Sequence, residues 1–476
     1  MRGYRWSPVA MLLVAVVGGC APESTGEDRD RKGLCPEPWR TYPYRAAASD
    51  IRFPEDEGAH YVTDPSVTME WWYAIYHVHA EDGREFSIMA TFFMPQLGLA
   101  FLPFNITDVR AGEMFDTSTW GYLDAVEGSL DLTWTPDELQ APPSTFRHRR
   151  DSDGNLVPFG YEQLLYWAGP SADRSQALHV VIDSEKSPYL VGGDGYVTIG
   201  ESGDSFYYSL TRLAVSGELE LNGETLTVSG EGWLDHQWGP FMINPLSISK
   251  NSYEWMAIHL DNGDEYMVST IFDQQNRTHL EEGFGSIGWK TAACGQGITM
   301  NHSIHRLAYW HHAASDTYYS HRWRIVVPET GLDVVVEPEV EDQTVAFLNT
   351  TFYEGRSRVT GTANGEPVTG LAFAEMVHHY EKPRLSVLEP QAGAVDAGVV
   401  TVRWAVNNPD DGCPLRFNVT VTGAGTTQAA CTDVEGDSCT ADLAAFSGAT
   451  SITVEGRSVD GVLSGSAAVT VTPSAR

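Results

Sequence analysis

Between Ser49 and Tyr380 the chain alternates apolar and polar positions in short runs, the period of strands half-buried in a sheet. Glu70–His79 (EWWYAIYHVH) and Glu85–Phe93 (EFSIMATFF) are rich in aromatic and β-branched residues. The intervening Ala80–Arg84, with Asp82-Gly83 at its centre, reads as a tight turn. The same rhythm predicts strands at Ser205–Val215, Gly217–Val228, Tyr253–Leu260 and Glu265–Phe272, and Asn222-Gly223, Asn262-Gly263 and Asn364-Gly365 mark further turns. Long amphipathic helices are scarce. Many even strands joined by tight turns predict an all-β body built of sandwiches or closed barrels. Glu70-Trp71-Trp72-Tyr73 and Tyr253-Glu254-Trp255-Met256 open similar strand–turn–strand units, which points to two similar β halves joined near Gly239–Pro245.

Beyond Pro383 aromatics become rare and Gly, Ala, Thr, Val and Ser dominate. Val400–Trp404, Phe417–Val421, Ser451–Val454 and Ala467–Thr472 are short alternating strands. Residues 384–474 therefore read as an immunoglobulin or fibronectin III-like sandwich with Trp404 in its core. Such a module serves as a spacer or as a docking surface for a protein partner.

The N-terminus carries an address. Arg2 and Arg5 precede an apolar run, Val9–Val17, too short to span a bilayer stably. The run ends in Val17-Gly18-Gly19-Cys20, which resembles a bacterial lipobox. This predicts a signal peptide over residues 1–19, a lipidated Cys20 and a polar tether to residue 48. Ala21, where an Asp would favour inner-membrane retention, points to the outer membrane, with the body periplasmic or surface-facing. If Cys20 is lipidated, Cys35, Cys294, Cys413, Cys431 and Cys439 remain. At least one is then unpaired within the chain, and one local disulfide is expected among the last three in an oxidising compartment.

Composition narrows the partners. The 476 residues hold 30 Lys plus Arg against 64 Asp plus Glu, a formal charge of −34, which would repel phosphate backbones and excludes a nucleic-acid binder. With 42% hydrophobic residues the chain can build large cores and is not globally disordered.

Two motifs carry a resemblance. One is Glu70-Trp71-Trp72-Tyr73 continuing to His77, with Asp82-Gly83-Arg84 and Thr91-Phe92-Phe93 downstream; the other is Gly232-Trp-Leu-Asp-His-Gln-Trp-Gly239. With Tyr353-Glu354-Gly355, Val359-Thr-Gly361 and Gly370–Glu375 they resemble the family of bacterial carotenoid 1,2-hydratases and AttH-like proteins over residues 60–380. The resemblance implies two lipocalin-like antiparallel β-barrels side by side, at residues 49–242 and 243–380. It also implies a hydrophobic small molecule or lipid as ligand, with no cofactor. One expectation is a hydratase-like enzyme that hydrates or isomerises an alkene. The rival expectation is a non-enzymatic lipid carrier, or an accessory protein of an AttH-type export complex.

Hydrating an unactivated alkene requires an acid to protonate carbon, an aromatic face to stabilise the cation and a dry apolar cavity. Asp235, His236 and Trp238 supply those residue types, and His236 and Trp238 match the His-x-Trp element that the carotenoid-hydratase branch uses in catalysis. That branch also uses a Tyr and an acidic residue, for which Tyr266 and Asp273 are the candidates here. Strand parity puts His236 and Trp238 on one face and Asp235 on the other. Glu70, Trp72, His77 and Glu254 are candidate ligand-binding residues. Trp71 and Trp72 point to opposite faces, so at least one is core, and Glu70 and His77 have opposite parity. His302, His305, His311, His312 and His321 lie within 20 positions, but neighbours in this stretch diverge on a strand, so no metal site is expected. No G-x-S-x-G elbow, H-E-x-x-H, P-loop or dinucleotide fingerprint occurs.

Overall fold

The computed structural model describes Cys35 and residues 38–474, apart from 96–99, 137–141, 168–174, 200–202, 242–251, 274, 280–284 and 348–349. The proposed signal, Cys20 and most of the tether lie outside the described residues, as does much of the join after Gly239. Among the described residues no helix is long and apolar enough to cross a membrane.

The body is all-β. Ten strands close into an antiparallel ring, in spatial order Asp204–Leu221, Glu224–Gly239, Met69–Ala80, Glu85–Pro95, Ala100–Asp108, Glu113–Ala125, Asp131–Pro136, Ser144–Arg150, Leu156–Trp167 and Gln176–Ser184; the last pairs back onto the first. Alternate residues of each strand fill the ring, so Trp72, Phe86, Phe92, Trp134, Tyr161 and Tyr208 form its core. The strand expected to end near Val215 continues to Leu221. Gly217 continues the strand: a Cβ there would lie 2.0 Å from the His179 carbonyl oxygen, so glycine lets the neighbouring strand close against it. The chain reverses instead at Asn222-Gly223, both with positive φ, as a two-residue hairpin requires.

The second half forms an 11-stranded sheet running from Gln296–Thr299 through Ile287–Lys290, Glu265–Phe272, Ser252–Leu260, Glu366–Met376, Thr350–Ala363, Leu332–Pro338 and Thr317–Val327 to Ser303–His312. It curls around Met256, Tyr266, Tyr319, Trp323 and Tyr353, but among the described residues its ends do not pair. The second barrel expected from the sequence is therefore an open half-barrel. One of its end strands is only four residues long and offers little ladder for closure.

A third apolar layer, including Tyr73, Ile75, Met89, Trp233, Trp255 and Phe373, joins the outside of the ring to the outside of the half-barrel. Charge pairing reinforces this seam: Lys186 Nζ lies 2.7 Å from Glu265 Oε2 and donates to the Thr291 carbonyl at 2.9 Å. Cys35 and Cys294 form a disulfide that fastens the lead-in of the chain to the half-barrel.

Beyond residue 383 a three-stranded and a five-stranded sheet enclose Val402, Trp404, Phe417, Val419 and Ile452. Cys431 and Cys439 form the local disulfide, and Cys413 is free. Tyr309, Tyr380 and Leu463 pack this sandwich against the half-barrel.

Candidate functional site

The two sequence motifs lie side by side. In the pairing of Met69–Ala80 with Glu224–Gly239, Glu70 faces Trp238, Trp71 faces Gln237, Trp72 faces His236 and Tyr73 faces Asp235. Residues directly opposite in an antiparallel pair share a face, and the faces alternate. One pair of strands thus builds two groups of side chains back to back: Glu70, Trp72, His236 and Trp238 inside the ring, and Trp71, Tyr73, Asp235 and Gln237 outside it.

The inner group is a carboxylate between two imidazoles. His236 Nε2 is 3.0 Å and His60 Nδ1 2.9 Å from Glu70 Oε1. The backbone N–H groups of His60 and Tyr61 each donate to Glu70 Oε2 at 2.9 Å. His60 lies flat on Trp238, with ring centres 4.0 Å apart, and Trp72 stacks on His236 at 4.5 Å. Burial raises the Glu70 carboxyl, but its bonds to His236 and His60 outweigh that and hold it down at about 2. Burial lowers His60, and Asp56 and Glu70 overcome it to raise the imidazole to about 9. Burial also lowers His236 below the ordinary imidazole value, against the opposing pull of Glu70. Trp72 donates its indole N–H to the Glu57 carbonyl at 3.0 Å and is core.

The outer group lines a cavity of about 120 Å³ between the ring and the half-barrel. Its apolar walls include Trp71, Met89, Phe93, Phe101, Trp255 and Phe352. Trp71, Phe93, Tyr253, Phe352, Glu375 and Val377 are half-buried, and the cavity is reached past them. Three carboxyls enter this apolar space, each held by a tyrosine: Tyr207 donates to Asp235 at 2.6 Å, Tyr73 to Glu354 at 2.7 Å, and Tyr253 to Glu375. Asp235 also accepts from Ser209 at 2.5 Å and from the Trp233 indole at 2.6 Å.

Glu354 and Glu375 are directly paired across neighbouring strands. Like charges in that position repel, and burial penalises both. Burial and then the charge of Glu375 push Glu354 well above the ordinary carboxyl range. Burial, opposed by Tyr253 and aided by Asp235, raises Glu375 to about 7. Burial raises Asp235 to about 6 against its three donors. The glutamate pair, raised by burial and by mutual repulsion, is the better proton holder, and the ring's Asp235, raised by burial against three donors, the better base, the separation of roles that acid–base chemistry needs.

The structure therefore separates the candidates. Asp235 lines the cavity, whereas His236 and Trp238 face the interior of the ring behind it. Glu70 and Trp72 lie with them. His77 is on the outer face but apart from the cavity, beside Ser87 and His259. Glu254 occupies the half-barrel position matching Glu70, where Arg306 Nε pairs with it at 3.0 Å and Tyr380 donates to it at 2.9 Å. Tyr266 belongs to the half-barrel core and Asp273 closes its own turn with Arg277. In the His-rich stretch, His302 faces the Gly285 carbonyl, His311 Asp316, and His312 Ser315. Strand parity reads Asp235 apart from His236, but Glu354, Glu375 and His60 were missed as site residues, because only the tertiary pairing brings them in.

Residues 168–380 match the model of the AttH-like family. Among solved structures, an assigned AttH protein of Nitrosomonas europaea is 21% identical with a TM-score of 0.56, covering 71% of this chain and 99% of its own. Kievitone hydratase of Nectria haematococca is 17% identical with a TM-score of 0.53, covering 73% of this chain and 98% of its own. No curated protein matches the sequence. The AttH-like resemblance holds, and the fold is the lipocalin-like one that a hydratase also uses; the narrower carotenoid-hydratase assignment is not confirmed.

Proposed function

We propose that this AttH-like chain is an acid-catalysed hydratase of a branched alkene, with its reaction centre in the cavity between the ring and the half-barrel. The observation that carries the reading is the set of three tyrosine-held carboxyls, raised by burial, facing into aromatic walls. The proton shared by Glu354 and Glu375 passes to the less substituted alkene carbon, forming a C–H bond and leaving a tertiary cation. Trp71, Trp255 and Phe93 offer π faces to that cation. Water adds through oxygen and gives up a proton to the Asp235 carboxylate, and transfer of that proton back to the glutamate pair through solvent resets the site. The sum is one alkene plus one water giving one tertiary alcohol. A cavity of about 120 Å³ is near the size of one that holds a benzene ring, on the order of 150 Å³. It admits the branched end of a molecule, and the remainder extends past the half-buried rim.

The N-terminal lipobox-like segment would place this body on a membrane by a lipid on Cys20, facing an oxidising compartment. The disulfides Cys35–Cys294 and Cys431–Cys439 support that setting.

The test is oxygen transfer. The full chain is incubated in H2¹⁸O with geraniol and related short isoprenoid alcohols that end in a branched alkene. Wild type is expected to form labelled tertiary alcohol, and Glu375→Gln to lose at least 100-fold in rate, the typical worth of a general acid. Binding of these alkenes without label uptake overturns hydration and leaves the carrier reading.

A further inference from the structure

The inner face of the same two strands carries a group that the cavity chemistry does not use. His60, Glu70 and His236 each offer one ligand atom, and the three atoms lie within 4.8 Å of one another. Among the described residues this is the one place where three such side chains converge. We propose that His60 Nδ1, Glu70 Oε1 and His236 Nε2 bind a single divalent transition-metal ion, of which Zn²⁺ is the redox-inert member.

Four features of the structure point this way. The donor set, two imidazoles and a carboxylate, suits zinc and its first-row neighbours. The spacing is close: bonds of about 2 Å at a tetrahedral angle put neighbouring ligand atoms about 3.3 Å apart. His60 Nδ1 and His236 Nε2 stand 2.9 and 3.0 Å from Glu70 Oε1, within tenths of an ångström of that spacing, and all three atoms lie within 4.8 Å of one another.

The supports behind the ligands are those that metal sites use. The far nitrogen of His60 is bonded to Asp56 Oδ1 at 3.1 Å, the carboxylate–imidazole arrangement that fixes a ligating ring. The carboxylate of Glu70 is aimed by the backbone N–H groups of His60 and Tyr61. The rings of His60 and His236 are clamped by Trp238 and Trp72. Finally, there is a way in: Glu70 and His236 are fully buried, but the His60 side chain is 19% exposed and Asp56 25%. An ion can enter beside His60.

The matching position of the half-barrel is an internal contrast. There Glu254 is met by Arg306, a fixed cation that cannot ligate a metal. Where the half-barrel neutralises its buried glutamate with a guanidinium, the ring surrounds Glu70 with two neutral-capable ligands. An ion of charge +2 would balance Glu70 and Asp56 together.

The experiment uses the full chain stripped of metal, with Zn²⁺ measured by equilibrium dialysis and Co²⁺ as the optical probe. One Zn²⁺ per chain is expected, with the visible d–d bands of a four- or five-coordinate Co²⁺ site. His60→Ala, at the exposed edge and outside the core, should weaken binding at least tenfold and abolish the bands. Glu254→Gln, and a His302→Ala/His305→Ala variant, should leave both unchanged. The absence of Co²⁺ bands, or Zn²⁺ binding indifferent to His60→Ala, overturns the site and leaves a hydrogen-bonded triad. Metal binding and Co²⁺ bands are read without any turnover of alkene, so either proposal can fail alone.

Discussion

At the scale of residues, the cavity's character rests on where its carboxyls hold their protons. Glu375 keeps its proton to about 7 in the folded chain, against 4.5 as the ordinary value. The folded state thus binds more protons than the unfolded one between those limits, and stability falls as pH rises from about 4.5 to about 7. Glu375→Gln removes this penalty and preserves an acceptor for Tyr253. Its melting temperature is expected to exceed that of wild type by on the order of a few degrees at pH 8 and to converge with it at pH 4. Thermal unfolding followed by circular dichroism across that range decides it, and a difference that does not vary with pH would sink the assignment. Asp235 was legible as a residue facing away from His236, because parity along one strand is a local property. Glu354 and Glu375 were visible as letters of a family motif but not as a pair. Their opposition depends on the register of two strands, and nothing within either strand states it.

Among the elements, most strands could be read from alternation, and their turns from Asn-Gly and Asp-Gly. The exceptions have physical causes. Gly217 suggested a break, yet it serves the close approach of a neighbouring carbonyl. The half-barrel's openness was hidden, since alternation reports a buried face and not whether the sheet closes. Gly288 belongs to the same class as Gly217 but acts between the two halves. A Cβ there would stand 1.8 Å from the Tyr189 hydroxyl, so the phenol of the ring rests directly on the backbone of the half-barrel. Gly288→Ala is therefore expected to push the two halves apart locally and to destabilise the protein by about 1–3 kcal/mol, the usual effect of overpacking. Tyr189→Leu, which removes the ring edge, should recover part of the loss in the double variant. Denaturant unfolding of the four proteins gives the coupling; strictly additive effects would show that the contact does not hold the halves in register.

Over the whole molecule, the lead-in of the chain is bonded to both halves. Arg40 donates to the Ser184 carbonyl of the ring, His60 and Tyr61 hold Glu70, and Cys35 is bonded to Cys294 of the half-barrel. The two disulfides differ sharply in what they constrain. Cys35–Cys294 closes a loop of 259 positions and Cys431–Cys439 one of 8. On loop-closure entropy that ratio favours the first by about 3 kcal/mol. Replacing both Cys35 and Cys294 with Ser should therefore lower the unfolding midpoint of the body well below that of a Cys431→Ser/Cys439→Ser variant. It should also make the lead-in before Met69 the first site of proteolysis. Because the lead-in supplies His60, its release should weaken the inner cluster while the Glu354–Glu375 pair, set by the register of two half-barrel strands and held by Tyr253 and by Tyr73 of the ring, keeps its geometry. Equal loss from the two double variants would show that the lead-in is held by its packing and hydrogen bonds, with the long-range disulfide adding little.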